Sequence, residues 1–170
     1  EKGVLFATDV IARGIDFDLI DSIIQVDIPQ DPNFFVHRIG RTARKGTEGN
    51  ALVLLDETER VYLDEYLIEK IPGLQEFSEE GVSDINEGKL LKFTNSVRKL
   101  MLTDKDFLMK GPRAFVSFIR SYKEHRLNNI LKFKNLDIYQ TARSFFLFKL
   151  PVMKELMEYE LPKPLATADE

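Results

Sequence analysis

Three short apolar runs constrain the first third of this chain: Val4 to Ala7 (VLFA), Ser22 to Ile28 (SIIQVDI) and Ala51 to Leu55 (ALVLL). Their length and β-branched content predict buried strands rather than core helices. Helix signals lie between and after them. Asp31-Pro32 offers an N-cap followed by proline at the first helical position, opening a helix through Phe34, Phe35 and Val36. A second helix is expected from about Glu57 to Glu69, with Val61, Tyr62, Leu63, Tyr66, Leu67 and Ile71 as apolar positions and Pro72-Gly73 as its stop. Strands alternating with helices predict an α/β fold, a parallel sheet with helices on its faces.

With 44 % hydrophobic and 31 % charged residues among 170, the composition is that of a soluble globular chain. No apolar run approaches the roughly 18 residues that span a bilayer, so no membrane partner is expected. The absence of cysteine excludes disulfides and thiolate metal sites, and two histidines, His37 and His125, are too few for a His-rich one. No metal site is expected from the chain itself. The opening Glu1-Lys2-Gly3-Val4 has neither a secretory n-region nor an initiator methionine and reads as part of something longer.

The net charge of −4 conceals an asymmetry. Residues 1–72 hold 8 Lys and Arg against 14 Asp and Glu, whereas residues 89–154 hold 15 against 4. The two parts should face different partners. Between them, the polar, acidic stretch 73–88 reads as a linker. Beyond it, Leu90, Leu91, Val97, Leu100 and Met101 suggest one amphipathic helix, and Phe115, Phe118, Ile119 and Tyr122 mark a second, with Arg113 and Arg120 opposite the aromatic stripe. An extended Ile130-Leu131-Lys132-Phe133 and a short helix around Ile138 to Phe146 should follow. Residues 158–170 read as a disordered tail.

Ligands of open parallel sheets sit beyond the carboxyl ends of the strands, so the following loops are where chemistry is expected. The first carries Thr8-Asp9-Val10-Ile11-Ala12-Arg13-Gly14-Ile15-Asp16: a hydroxyl, two carboxylates, an arginine and a glycine. Such a set can take a phosphate and a ribose, or merely cap a short helix. After the second run comes His37-Arg38-Ile39-Gly40-Arg41-Thr42-Ala43-Arg44-Lys45-Gly46. Arginines three apart on a helix face repel by a few tenths of a kcal/mol per pair, which makes an anion the expected partner, although a solvated basic face is the simpler alternative. Gly40 marks either a helix end or a close backbone approach.

TDVIARGID, then VDIP, then HRIGRTARKG resembles, in order and spacing, motifs V and VI of DEAD-box RNA helicases, in the C-terminal half of their second RecA-like domain. That resemblance implies a partial RecA-like parallel sheet with flanking helices over 1–72, and ATP and Mg²⁺ as cofactors, held mainly by a first RecA-like domain that this chain does not contain. It further implies that Arg41 and Arg44 are catalytic arginine fingers on the γ-phosphate and that Gly14 and Asp16 contact ATP, Asp16 at the ribose. Thr8, Asp9 and Arg13 would lie at RNA; His37 and Arg38 would couple to the opposing domain. Most family members carry glycine where Ala43 stands.

GPRAFVSFIRSYKEHR and ILKFKNLDIYQTARSFFLFKLPVMKEL resemble the small, mainly helical C-terminal extension of ribosome-assembly DEAD-box helicases, closest to those acting on pre-60S particles. Over 89–157 this implies precursor rRNA and ribosome-assembly proteins as partners, and a nucleolar or nuclear location. The expected function is thus RNA-stimulated ATP hydrolysis with RNA remodelling. The rival is a non-enzymatic RNA- or protein-binding scaffold built on a helicase-like half domain. A DNA-directed helicase of a neighbouring branch is disfavoured by HRIGR together with the extension.

Overall fold

The computed structural model describes residues 3–10, 20–77 and 86–157. The chain forms two compact units, Glu1–Leu74 and Gln75–Glu170. In the first, β1 (Ser22–Val26) pairs in parallel with β2 (Asn50–Leu54), Ser22 opposite Asn50 and Val26 opposite Leu54. Between them runs α1 (Asn33–Ile39), a β–α–β crossover as the alternation demanded. Pro32, expected at the first helical position, stands instead at the N-cap of α1, and Asp31 lies one residue before it, its carboxylate accepting from Asn33 N at 2.9 Å. A continuous helical stretch then follows β2: a 3₁₀ turn at Glu57–Glu59, α2 (Arg60–Tyr62) and a π turn at Leu63–Leu67. Asp56 and Glu59 open it with a capping box, each side chain bonded to the other's backbone N–H.

Strand alternation sorts the sheet into two faces. Ile23, Gln25 and Val53 turn to the covered face, where Ile28, Phe35, Tyr62 and Leu67 are buried. Ile24, Val26, Leu52 and Leu54 share the other face and are exposed, so the strands are buried on one side only, not on both as their composition predicts. Val4 to Ala7 departs further from expectation. It joins no ladder, and Val4, Leu5 and Phe6 are 85, 60 and 92 % exposed. A strand-forming sequence needs a neighbour to bond, and the described residues offer it none. β1 also ends before Asp27, whose φ of 65° leaves the extended region.

The second unit is helical. Asp104 links α3 (Glu87–Thr103) to α4 (Lys105–Lys123) and closes both ends: its N–H donates to Leu100 O, and its carboxylate accepts from Asp106 N and Phe107 N. α5 (Ile138–Ser144) is capped by Asp137. Phe115 and Ile119 of α4 meet Ile138 and Ala142 of α5, with Leu147, Met153 and Leu156, in one core, and Phe118 packs at its edge. Arg113 and Arg120 stand outside it. The segment 130–133 is not extended: His125, buried, accepts from Leu127 N, and the chain turns through Leu127–Leu131 into a 3₁₀ turn at Phe133–Asn135. Burying Leu127 and Leu131 four residues apart outweighs the local strand preference. Part of the expected linker (78–85) and the expected tail (158–170) lie outside the described residues.

Gly111 sets how closely these elements approach. A Cβ there would stand 3.1 Å from Met101 Cε, 3.1 Å from Phe145 O and 3.3 Å from Leu147 Cδ2. Gly111→Val is expected to lower the unfolding free energy of the chain by about 1–3 kcal/mol through overpacking, read by chemical denaturation.

Candidate functional site

Motif VI is not a single helical face. α1 ends at Ile39, Gly40 is its C-cap with φ −67°, and the chain then turns, so that Arg38 lies in the helix, Arg41 in the following turn and Arg44 beyond it. Gly40 therefore marks the helix end. The side chains of Arg41 and Arg44 fold back by four residues, Arg41 Nε donating to His37 O at 3.3 Å and Arg44 Nε to Gly40 O at 2.8 Å. Cations and N–H donors belong at this end, where carbonyls lack helical partners and the dipole is negative. The repulsion expected of three arginines on one face is thus relieved by geometry. The same bonds fix each guanidinium stem.

Arg38 is held differently. Its Nε donates to Asp9 Oδ1 at 2.6 Å and its Nη2 to Asp9 Oδ2 at 2.8 Å, a two-point contact across 29 residues. Its Nη1 reaches Gln25 Oε1 at 3.3 Å and Asp27 O at 3.4 Å. Planar forks of this kind combine charge with fixed geometry. Asp9, in the described part of motif V, is thereby tied to motif VI, and Arg38 spends its fork inside its own unit. Thr8, next to Asp9, is exposed, as is His37, whose ring meets Phe34 edge-on. Arg13, Gly14 and Asp16 lie outside the described residues.

Two buried polar residues beside Arg38 escaped sequence reasoning. Gln25 points to the covered face of β1 and its Nε2 has no hydrogen-bond partner; Tyr62 is fully buried and its hydroxyl has none either. Desolvation pushes the Tyr62 phenol up to about 12, against the pull of the Arg38 charge. The available signal was a polar residue at an inward position of a strand, Gln25 within SIIQV. Past the carboxyl ends of the strands, desolvation raises the Asp27 carboxyl, with Arg38 opposing it. It also raises Glu59, where the bond from Asp56 N opposes the shift and the nearby charges of Asp27 and Asp56 add to it. Among the described residues, no group of three His, Asp or Glu could hold a metal ion.

The second half of motif VI is tightly drawn. Ala43 and Lys45 adopt φ of 53° and 55°, and Gly46 follows at 80°. A left-handed alanine costs about 1–2 kcal/mol, which explains why glycine suits position 43. Thr42 Oγ1 donates to Ile20 O, and a Cβ on Gly49 would fall 2.1 Å from Thr42 Oγ1 and 2.7 Å from Ala43 N. Ala43→Gly is expected to raise stability by about 0.5–1 kcal/mol in chemical denaturation, the backbone relief exceeding the added freedom of the unfolded chain.

Glu59 supplies a pH prediction. Its folded pKa is raised, so the stabilisation from its proton is complete below the unfolded value and is lost as pH rises through the folded one. Glu59→Gln keeps the capping acceptor without the charge. It should unfold at higher denaturant than the parent at neutral pH, the difference vanishing below about pH 4.

The sequence matches two families. Residues 1–46 match the helicase conserved C-terminal domain, and residues 104–153 match the C-terminal extension of ATP-dependent rRNA helicase SPB4-like proteins. DEAD-box ATP-dependent RNA helicase 18 of Arabidopsis thaliana is 40 % identical over 160 residues, 94 % of this chain and 26 % of that protein. The probable ATP-dependent RNA helicase ddx55 of Dictyostelium discoideum is 39 % identical over 94 % of this chain and 23 % of its own length. ATP-dependent RNA helicase DDX55 of Homo sapiens is 38 % identical over 95 % and 26 % respectively. The chain thus spans about a quarter of the curated relatives it matches.

Proposed function

We propose, for a chain that belongs to the DEAD-box RNA helicases and carries the extension of their SPB4-like group, that it supplies the arginine-finger half of a composite ATP site. The protein containing it hydrolyses ATP in response to RNA and remodels RNA or RNA–protein contacts. The observation that carries this reading is the Asp9–Arg38 fork, which ties the motif V loop to the helix from whose end Arg41 and Arg44 project. In phosphoryl transfer the protein contributes mostly positioning and charge neutralisation. Arg41 and Arg44 present permanently charged planar groups with anchored stems, the chemistry a γ-phosphate requires. ATP supplies the transferable phosphoryl group; Mg²⁺ and most nucleotide contacts fall to a first RecA-like domain.

In this reading Gly14 and Asp16 complete the nucleotide side, Asp16 on the ribose. Thr8 and Arg13 face the RNA backbone, with Asp9 beside them. His37 faces the opposing domain. Arg38 serves interdomain coupling indirectly: its grip on Asp9 makes motif VI respond to what motif V binds. The basic second unit, with 15 cationic against 4 acidic residues over 89–154, adds sequence-independent affinity for RNA, and the SPB4-like extension suggests precursor rRNA of the large subunit and its assembly proteins as partners, in the nucleolus or nucleus.

The test is RNA-stimulated ATP hydrolysis by the full-length protein. Arg41→Ala is expected to reduce kcat by about a thousandfold or more with RNA affinity retained. A rate within a few-fold of the parent removes the finger assignment, and a full-length parent that binds RNA without hydrolysing ATP favours the scaffold reading instead.

A further inference from the structure

The second unit holds a hollow of about 200 Å³ between α3 and the end of α5, lined by Thr94, Arg98, Arg143, Ser144, Phe146 and Leu147 among others. Two arginines from different helices, Arg98 of α3 and Arg143 of α5, are among its lining residues, none of which is acidic. Thr94 adds a hydroxyl; the Ser144 hydroxyl is committed to Thr141 O at 2.7 Å and contributes shape only. This composition suits a phosphate group, a compact anion that accepts several charge-assisted hydrogen bonds at once.

The backbone at its rim is unusual. Leu147 N donates to Ala142 O and Phe146 N to Arg143 O, the paired bonds with which helices close on a left-handed residue. That position is usually glycine, and here it is Phe146, with φ 56°. A bulky residue in this conformation is costly, so its ring should have a use that glycine lacks. Phe146 lies outside the unit's hydrophobic core and meets Phe93 of α3 edge to face, with centroids 6.3 Å apart. Phe93 keeps 60 % of its surface exposed. An anion pocket beside an exposed aromatic pair is the combination that holds a single strand, phosphate in the pocket and base on the ring.

We infer that Arg98, Arg143 and Thr94, with Phe93 and Phe146 at the rim, form a binding site for one nucleotide of single-stranded RNA on the extension. The site rests on the RNA reading given above but is separate from motifs V and VI in sequence and chemistry.

The test measures binding of a fluorescent oligouridylate to the chain by anisotropy across a salt series. Arg98→Gln with Arg143→Gln should weaken binding about tenfold and flatten the slope of log K against log salt by about 0.7, the loss of the one phosphate held in the pocket on a single strand. Phe93→Ser, at an exposed position, should weaken binding while leaving the salt slope unchanged. A control pair outside the pocket, Lys105→Gln with Lys110→Gln, should cost less than about twofold. If both pairs weaken binding equally, or Phe93→Ser has no effect, the pocket assignment falls while the general RNA reading stands. If the parent chain binds no RNA, both fall. Displacement of the oligouridylate by polyglutamate at equal charge concentration identifies an acidic protein segment as the occupant and overturns the RNA site.

Discussion

A single ion pair organises the first unit: Arg38 gripping Asp9 with two parallel hydrogen bonds. An exposed ion pair contributes little, but this one is half-buried, bidentate and joined to Gln25 and the Asp27 carbonyl, so truncating either partner leaves polar groups stranded near the sheet. It is also long-range. The chain between its partners contains β1 and most of α1, so the contact holds the β1–α1 crossover to the loop that precedes it. Everything proposed for the arginines assumes that α1 points in a fixed direction. Asp9 is the long-range partner that Arg38 uses to fix it.

The two units solve different problems. The first has a sheet with one covered and one exposed face, and a cationic helix end; the second packs a small helical core around Phe115 and Ile119 and leaves its cations outward. An acidic unit that carries Arg41 and Arg44 at one helix end, with Arg38 paired to Asp9, concentrates its positive potential there. A basic helical unit spreads its charge over a surface. The first arrangement suits a single multivalent phosphate, and the second a long polyanion such as RNA.

Much of this was legible in the sequence because local physics and tertiary context agree. Helices form where Asp31-Pro32 and the stretch around Ile138 predict them, and the aromatic spacing on α4 identified Phe115 and Ile119 as core. Where expectation and structure part, a neighbour decides. Val4 to Ala7 has strand composition without a strand partner among the described residues. Ile130 to Phe133 has strand composition but is turned by the buried His125 and by Leu127 and Leu131. The arginine cluster was recognisable by type and spacing, and Gly40 stood open between a helix end and a close backbone approach; the helix does end there, which places each arginine in a different setting. Gln25 and Tyr62 were hidden because a polar atom buried beside Arg38 is visible only once the strands are paired.

On this reading, motif V and motif VI act as one unit through Asp9 and Arg38. A double-mutant cycle on Asp9→Ala and Arg38→Ala, read in RNA-stimulated ATP hydrolysis by the full-length protein, tests it most directly. If the two motifs act as one unit, the double variant is little worse than either single one, a coupling of about 1–3 kcal/mol. Losses that simply add would contradict it, because the two residues would then serve hydrolysis independently.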